Sequence, residues 1–283
     1  HTGSQAWAIF FSWGVCACYH IRQCKVHMGD VVKQDVVKQE EKTSDGVSHA
    51  AAIKDAVGEW AARQLVTSGM RIGAGTGSTA ESFIRALGRR IQAGALQDVL
   101  AVPTGFQSAD LCRACGVPVR AFEDPEIDGR LDAAFDGADQ IDPQGRLTKG
   151  GGAAQTMEKV VATAAARFVV MADSSKLTTA LGRSFPIALE LLAASHLPVL
   201  RAVQALGGTA SLRPAARKMG PVISDNGNLL LDVVFDDPID PAEMEATLET
   251  IPGVLACGLF TGEGYEFVIG YATDDIRHTR DTP

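Results

Sequence analysis

At 283 residues, 46% hydrophobic and 21% charged, the chain has room for about one and a half to two globular domains and is too apolar to be disordered. Its formal net charge of -8 excludes a broad basic face for nucleic acid or an anionic membrane, so an anionic ligand must be met by a few lysines and backbone amides. Six cysteines in a chain this long do not make a secreted disulfide scaffold, and a reducing, cytoplasmic setting is expected.

Residues 1 to about 48 differ in texture from the rest. Ala6 to Tyr19 is aromatic-rich and apolar, yet shorter than a membrane span and without a basic leader. Lys33 to Asp45 is a charged tract with the character of a mobile tail, and Met28 is a candidate start. The segment is expected to be an N-terminal extension outside the fold.

From Ala50 to Leu65 the apolar residues Ile53, Val57, Trp60 and Ala61 recur at helical spacing. A short strand, Met70 to Ile72, runs into Gly73-Ala74-Gly75-Thr76-Gly77-Ser78-Thr79, and Phe83, Ile84, Leu87 and Ile91 mark one face of the next helix. Strand, glycine loop, helix is the order of a phosphate or nucleotide cradle, because free amides at a helix N-terminus favour an anion. It is also the order of a plain tight turn capped by Ser78 or Thr79. A dinucleotide site would want an acid at the end of the following strand. That strand, Val99 to Val102, leads instead into Pro103-Thr104-Gly105.

A short helix from Ser108 to Cys115 carries the lone Cys112-x-x-Cys115 pair. With no second pair at zinc-ribbon spacing, half-buried thiols rather than a metal site are expected. Strands are predicted at Val117–Phe122, Leu131–Phe135 and Phe168–Ala172, with a helix from about Ala153 to Arg167 between the last two. Alternating strands and helices predict a parallel sheet covered by helices, with ligands beyond the carboxyl ends of its strands. The loops at Gly73–Thr79, Asp136–Asp139 and Asp173–Lys176 would then open into one crevice. Beyond Phe185 a helix at Pro198–Leu206, a turn at Ser224–Gly227, a strand at Asn228–Phe235, a helix at Pro241–Thr250 capped by Asp240, and strands at Val254–Phe260 and Glu266–Tyr271 predict a smaller α+β unit.

The densest chemistry lies between Asp136 and Lys159, where Asp136, Asp139, Lys149 and Glu158 cluster around glycine-rich backbone after a buried strand. Carboxylates and an ammonium at a strand end suit proton transfer, although Asp-Gly is also ordinary turn chemistry. Lys176 could place a charge in the same crevice.

Gly75-Thr76-Gly77-Ser78-Thr79, Asp136-Gly137-Ala138-Asp139, Lys149-Gly150-Gly151-Gly152-Ala153-Ala154 with Glu158-Lys159, Ser175-Lys176, Asp225-Asn226-Gly227-Asn228, and Pro252-Gly253-Val254 with Gly258-Leu259-Phe260 follow one another in this chain. Their order resembles that of type A ribose-5-phosphate isomerases, over roughly Ile53 to Gly270. The resemblance implies a Rossmann-like parallel-sheet domain (49–184 and 262–283) with a smaller ferredoxin-like α+β domain (185–261). It implies an aldose-ketose isomerase of the non-oxidative pentose phosphate pathway, without metal or cofactor, that interconverts D-ribose 5-phosphate and D-ribulose 5-phosphate. A homodimer or homotetramer is expected, and no nucleic-acid or membrane partner.

By the same resemblance Glu158 carries the proton, Lys149 steadies an enediolate, and Asp136, then Asp139, serves ring opening. Thr76, Gly77, Ser78, Thr79 and Lys176 hold the phosphate, while Gly137, Ala138, Gly150, Gly151 and Gly152 line the sugar. Gln140 where a glutamate is common, Gly105 where a serine is usual, and Ile187-Ala188-Leu189-Glu190 in place of a Pro-Val-Glu-Val run depart from the pattern. A non-catalytic sugar-phosphate sensor of similar fold is the alternative, and a nucleotide-dependent oxidoreductase a third reading that the missing ribose acid disfavours.

Overall fold

The computed structural model describes residues 44–280, so most of the expected N-terminal extension lies outside the described residues. Helix α1 (Ser44–Leu65) starts before the expected Ala50, and its apolar stripe of Ile53, Val57 and Ala61 is buried. Strand β1 (Arg71–Ala74) and helix α2 (Ser78–Gln92) flank the glycine loop. Phe83 of α2 stacks on Phe135 at 4.5 Å between ring centroids, and fully burying one such ring contributes about 1.5–3 kcal/mol. Strand β2 (Leu100–Pro103), helix α3 (Phe106–Ala114), strand β3 (Ala133–Asp136), helix α4 (Gln155–Ala164) and strand β6 (Phe168–Asp173) complete the alternating part. Between β3 and α4 lie two very short strands, β4 (Gln140–Ile141) and β5 (Leu147–Thr148).

The remaining elements are β7 (Ile187–Leu191), α5 (His196–Ala205), β8 (Gly208–Leu212), β9 (Leu229–Phe235), α6 (Pro241–Glu249), β10 (Val254–Cys257), β11 (Leu259–Phe260), β12 (Glu266–Gly270) and β13 (Ile276–Arg280). The main sheet has the order β13-β12-β6-β3-β1-β2. It is parallel from β2 to β12, and only β13 runs antiparallel at the edge. From β1 the chain moves out to β2 and returns to β3 on the other side, so the strand order reverses between β1 and β3. Loops leave the carboxyl ends of these two strands in opposite directions and open a crevice.

Apolar clusters fill both faces of this sheet, one beneath α1 and α2 and the other beneath α4. The second sheet, β10-β7-β9-β8, is antiparallel throughout and buries Leu189, Leu191, Leu231 and Val233 against α5 and α6. A third, three-stranded sheet joins β11, β5 and β4. The architecture is therefore α/β, with a Rossmann-like parallel sheet and a smaller antiparallel-sheet unit.

Two expected strands take a different form. Val117–Phe122 makes only an isolated bridge, Ala101 to Val119, because Pro118 has no amide to extend a ladder. Val254–Phe260 is cut at Gly258 into β10 and β11, which belong to different sheets. Gly258 donates to Ala188 O and accepts from Lys149 N, and a Cβ there would lie 2.3 Å from Lys149 O. The chain can change sheets at this point only because no side chain intervenes. The expected cap of α6 forms, with Asp240 Oδ1 accepting from the amides of Ala242 and Glu243. Cys112 is buried and its thiol is pushed up to about 12 by that burial, so it behaves as a core residue.

Candidate active site

Asp136 ends β3, beside the glycine loop that follows β1. Its Oδ1 accepts from the amides of Gly137 at 2.7 Å and Thr76 at 3.1 Å. A Cβ on Gly75 would fall 2.1 Å from that oxygen, so the glycine is what lets the two loops meet. Thr76 Oγ1 shares a 2.6 Å hydrogen bond with Thr104 Oγ1, and the Gly77 amide donates to Gln107 Oε1. The loop is thus held on both sides. The first amides of α2, at Ser78 and Thr79, have no carbonyl one turn earlier to bond and are free for an anion.

Lys149 leaves β5 and returns its side chain to Asp136. The ammonium lies 3.0 Å from Asp136 Oδ2 and 3.3 Å from Glu158 Oε2, and it donates to Gly137 O at 2.6 Å. All three charged residues are nearly inaccessible, at 2–5% relative exposure. Burial disfavours the charge on Lys149, but attraction to Asp136 and Glu158 outweighs it and the ammonium holds its proton more firmly than a free lysine. Two carboxylates share that one cation. Burial first, and the neighbouring Asp136 charge second, push Glu158 up to about 8, with Lys149 pulling the other way. Asp136 is also raised by burial.

Helix α4 supplies Glu158 from its first turn. Asp139 Oδ2 accepts from the Gly151 amide at 2.8 Å, which ties the turn after β3 to the glycine run before α4. Thr76, Gly77, Ser78, Thr79, Gly137, Ala138, Asp139, Lys149, Gly150, Gly151, Gly152, Glu158 and Lys176 all border one crevice of about 200 Å³. Of the residues singled out in the sequence, Asp136 alone does not border it, lying instead beneath Lys149 and the loop at Thr76. Lys176 reaches it from a short 3-10 turn (Ser174–Lys176) after β6.

Some contacts on this site carry no local sequence signal. Arg213, just past β8, donates to Gly150 O at 2.7 Å and is clamped by Asp232 of β9, with its Nη2 2.5 Å from Oδ1. Gln140 is turned away from the crevice. It donates to Ser184 Oγ at 2.7 Å and accepts from Gly182 N at 3.1 Å, so the uncharged amide serves both bonds. Gly105 starts α3, where an added Cβ would lie 2.8 Å from Asp225 Oδ2. Elsewhere Glu245, Glu249 and Cys257 bring ligand-type atoms together, but the Lys159 ammonium sits among them, 2.5 and 2.6 Å from the two carboxylates.

One residue of α4 is out of balance. Gln155 is fully buried, and among the described residues neither end of its amide has a hydrogen-bond partner. Each unpaired buried polar atom costs about 1–3 kcal/mol. Gln155→Leu is therefore expected to raise the unfolding free energy by about 1–3 kcal/mol, measured by urea denaturation. An unchanged or lower midpoint would mean that the amide is paired in solution.

The fold and crevice define an α/β enzyme built to move protons on a small anionic molecule. Residues 100–274 match the sequence profile of the family described as ribose 5-phosphate isomerase A (phosphoriboisomerase A). A ribose-5-phosphate isomerase A from Thermosynechococcus vestitus is 45% identical over 221 residues, covering 78% of this chain and 92% of that protein. One from a Synechococcus strain is 48% identical over 202 residues, covering 71% and 86%. The solved ribose 5-phosphate isomerase A of Methanocaldococcus jannaschii superposes with a TM-score of 0.75 at 39% identity, over 81% of this chain and 98% of that one. The chain belongs to the ribose 5-phosphate isomerase A family. Among the described residues no helix is long and apolar enough to cross a membrane.

Proposed function

We propose that the crevice interconverts D-ribose 5-phosphate and D-ribulose 5-phosphate through an enediolate, with Glu158 as the group that carries the proton between C1 and C2. The observation that carries this reading is a buried carboxylate 3.3 Å from a buried ammonium, in a crevice also lined by a hydroxyl and amide loop; burial pushes that carboxyl up to about 8. A base near neutrality can both take and return a proton. As negative charge grows on the substrate oxygens, Lys149 and the Gly150–Gly152 backbone offset it without reorganising. A further solved structure of D-ribose-5-phosphate isomerase, 33% identical with a TM-score of 0.75, is in complex with phospho-erythronic acid, a ligand class that such a cradle and cation suit.

Ring opening falls to Asp139 in this reading, because it borders the crevice. Asp136 has one oxygen on two backbone amides and the other on Lys149, so it acts by holding the lysine. The phosphate end goes to Thr76, Gly77, Ser78, Thr79 and Lys176, and its binding energy fixes C1 and C2 against Glu158. We assign the chemistry to residues 49–184 with 262–283, and a supporting role to 185–261. A cytoplasmic homodimer or homotetramer completes the proposal.

The test is a coupled assay of the purified chain with ribose 5-phosphate in EDTA. Turnover that survives chelation supports the scheme, and turnover abolished by EDTA and restored by a divalent cation refutes it. Lys176→Ala is expected to raise KM roughly tenfold with a smaller change in kcat. A normal KM with poor kcat would remove Lys176 from phosphate binding.

A further inference from the structure

The Ser224–Asn228 turn, which the reaction scheme leaves without a task, is linked by hydrogen bonds to residues behind both the proton-carrying helix and the anion loop. Glu190, one residue before the end of β7, is fully buried, and among the described residues the donors to its carboxylate are neutral. These are Ser224 Oγ at 2.6 Å, Asn226 Nδ2 at 3.1 Å, Asn228 Nδ2 at 2.9 Å and Thr156 Oγ1 at 2.5 Å. Three of the four come from the turn, and the fourth comes from the first turn of α4. Next in the same turn, Asp225 Oδ2 accepts from the Phe106 amide at 2.7 Å. Phe106 opens α3, whose start bonds the anion loop through Thr104 to Thr76 and Gln107 to Gly77.

Thr156 and Glu158 are two residues apart on α4, so their side chains leave the helix about 200° apart. A helix pinned to Glu190 through one of them presents the other to the crevice. Lys159, three residues on from Thr156, shares its face and is anchored to Glu245 and Glu249 of α6. Helix α4 is thereby tied on that face to both β7 and α6.

We propose that the Ser224–Asn228 turn is a strut that sets the separation between the proton-carrying and phosphate-holding walls, with Thr156 and Glu190 as positioning residues for Glu158 and Asp225 as a positioning residue for the anion loop. The proposal rests on the reading of Glu158 given above. Its two arms are separable, because one ends at the reacting carbons and the other at the phosphate.

Steady-state kinetics of three variants of the full chain test it. Thr156→Val keeps the side-chain shape but loses the hydroxyl, and is expected to lower kcat about tenfold or more with KM nearly unchanged. Thr156→Ser, which restores a hydroxyl, is expected to recover most of that loss. Asp225→Ala is expected to raise KM about fivefold with a smaller effect on kcat. Opposite splits support the strut, since general destabilisation would not divide kcat from KM by position. If Glu158→Gln is inactive while Thr156→Val has a wild-type kcat, or if Thr156→Ser is no better than Thr156→Val, the strut is overturned. An active Glu158→Gln would instead remove the assignment beneath it.

Discussion

Glu158→Gln is expected to lower kcat by about a hundred- to ten-thousand-fold, the usual worth of a positioned acid-base group, while leaving the protein folded. The amide keeps the shape of the carboxyl group and loses only the capacity to take a proton. As the proposed proton carrier the group must be ionised to act, so kcat/KM is expected to rise with pH and reach half its plateau near the value of about 8 set mainly by burial. A profile flat from mildly acidic to alkaline pH would remove Glu158 from the role. Stability should run the other way. A carboxyl whose folded pKa lies above its ordinary value stabilises the fold fully below the unfolded value, and that contribution is lost as pH rises through about 8. Glu158→Gln should thus gain on the parent protein in thermal midpoint as the buffer becomes more alkaline.

Lys149→Met has the second large effect, and its signature differs. Removing a preorganised partner for developing oxyanion charge costs about a hundred- to a thousand-fold in kcat. It also leaves Asp136 and Glu158 buried with no cation between them, and breaking such a group from one side costs about 3–5 kcal/mol. Because Glu158 ionises as pH rises through about 8, the loss should be larger on the alkaline side of that value than on the acid side, by the same linkage. Chemical denaturation on either side of that pH measures it. A pH-independent loss would mean that Lys149 acts by packing, for instance over the Phe260 ring 5.7 Å away.

What could be read from the sequence was what short stretches determine. The stripe of Ile53, Val57 and Ala61, the glycine loop before α2 and the Asp240 cap depend on residues within a few positions of one another, and the alternation of β and α elements implied a sheet with a crevice at its strand ends. Edge and crossover strands were less visible. Strand β13 reads Ile-Arg-His-Thr-Arg and has no apolar alternation. It is held by Glu266 of β12, whose carboxyl contacts Arg167, His278 and Arg280 and is kept down at about 2, chiefly by Arg167. Strand β7 is short and buried on both faces, so no period shows.

At the site, the clustering of Asp136, Asp139, Lys149 and Glu158 was legible because they fall within one stretch. Their mutual distances were not, and the difference between Asp136 beneath the crevice and Asp139 bordering it came only with coordinates. Arg213 had no local signal at all, and Glu190 only a faint one. Their partners Gly150 and Thr156 lie 63 and 34 positions away, and the chain between them reverses direction several times. A lone acid among apolar residues, as at Glu190, was the one hint of a buried polar network.

The absent side chain at Gly258 has a consequence for how the enzyme tolerates change. The ribbon there is pressed between the main chain of Lys149 and that of Ala188, so even a methyl would wedge them apart. Such damage would travel along the backbone to the ammonium and to Gly150, both of which border the crevice. Inherited variation at this position should therefore behave as an active-site lesion, although nothing about its chemistry would suggest one.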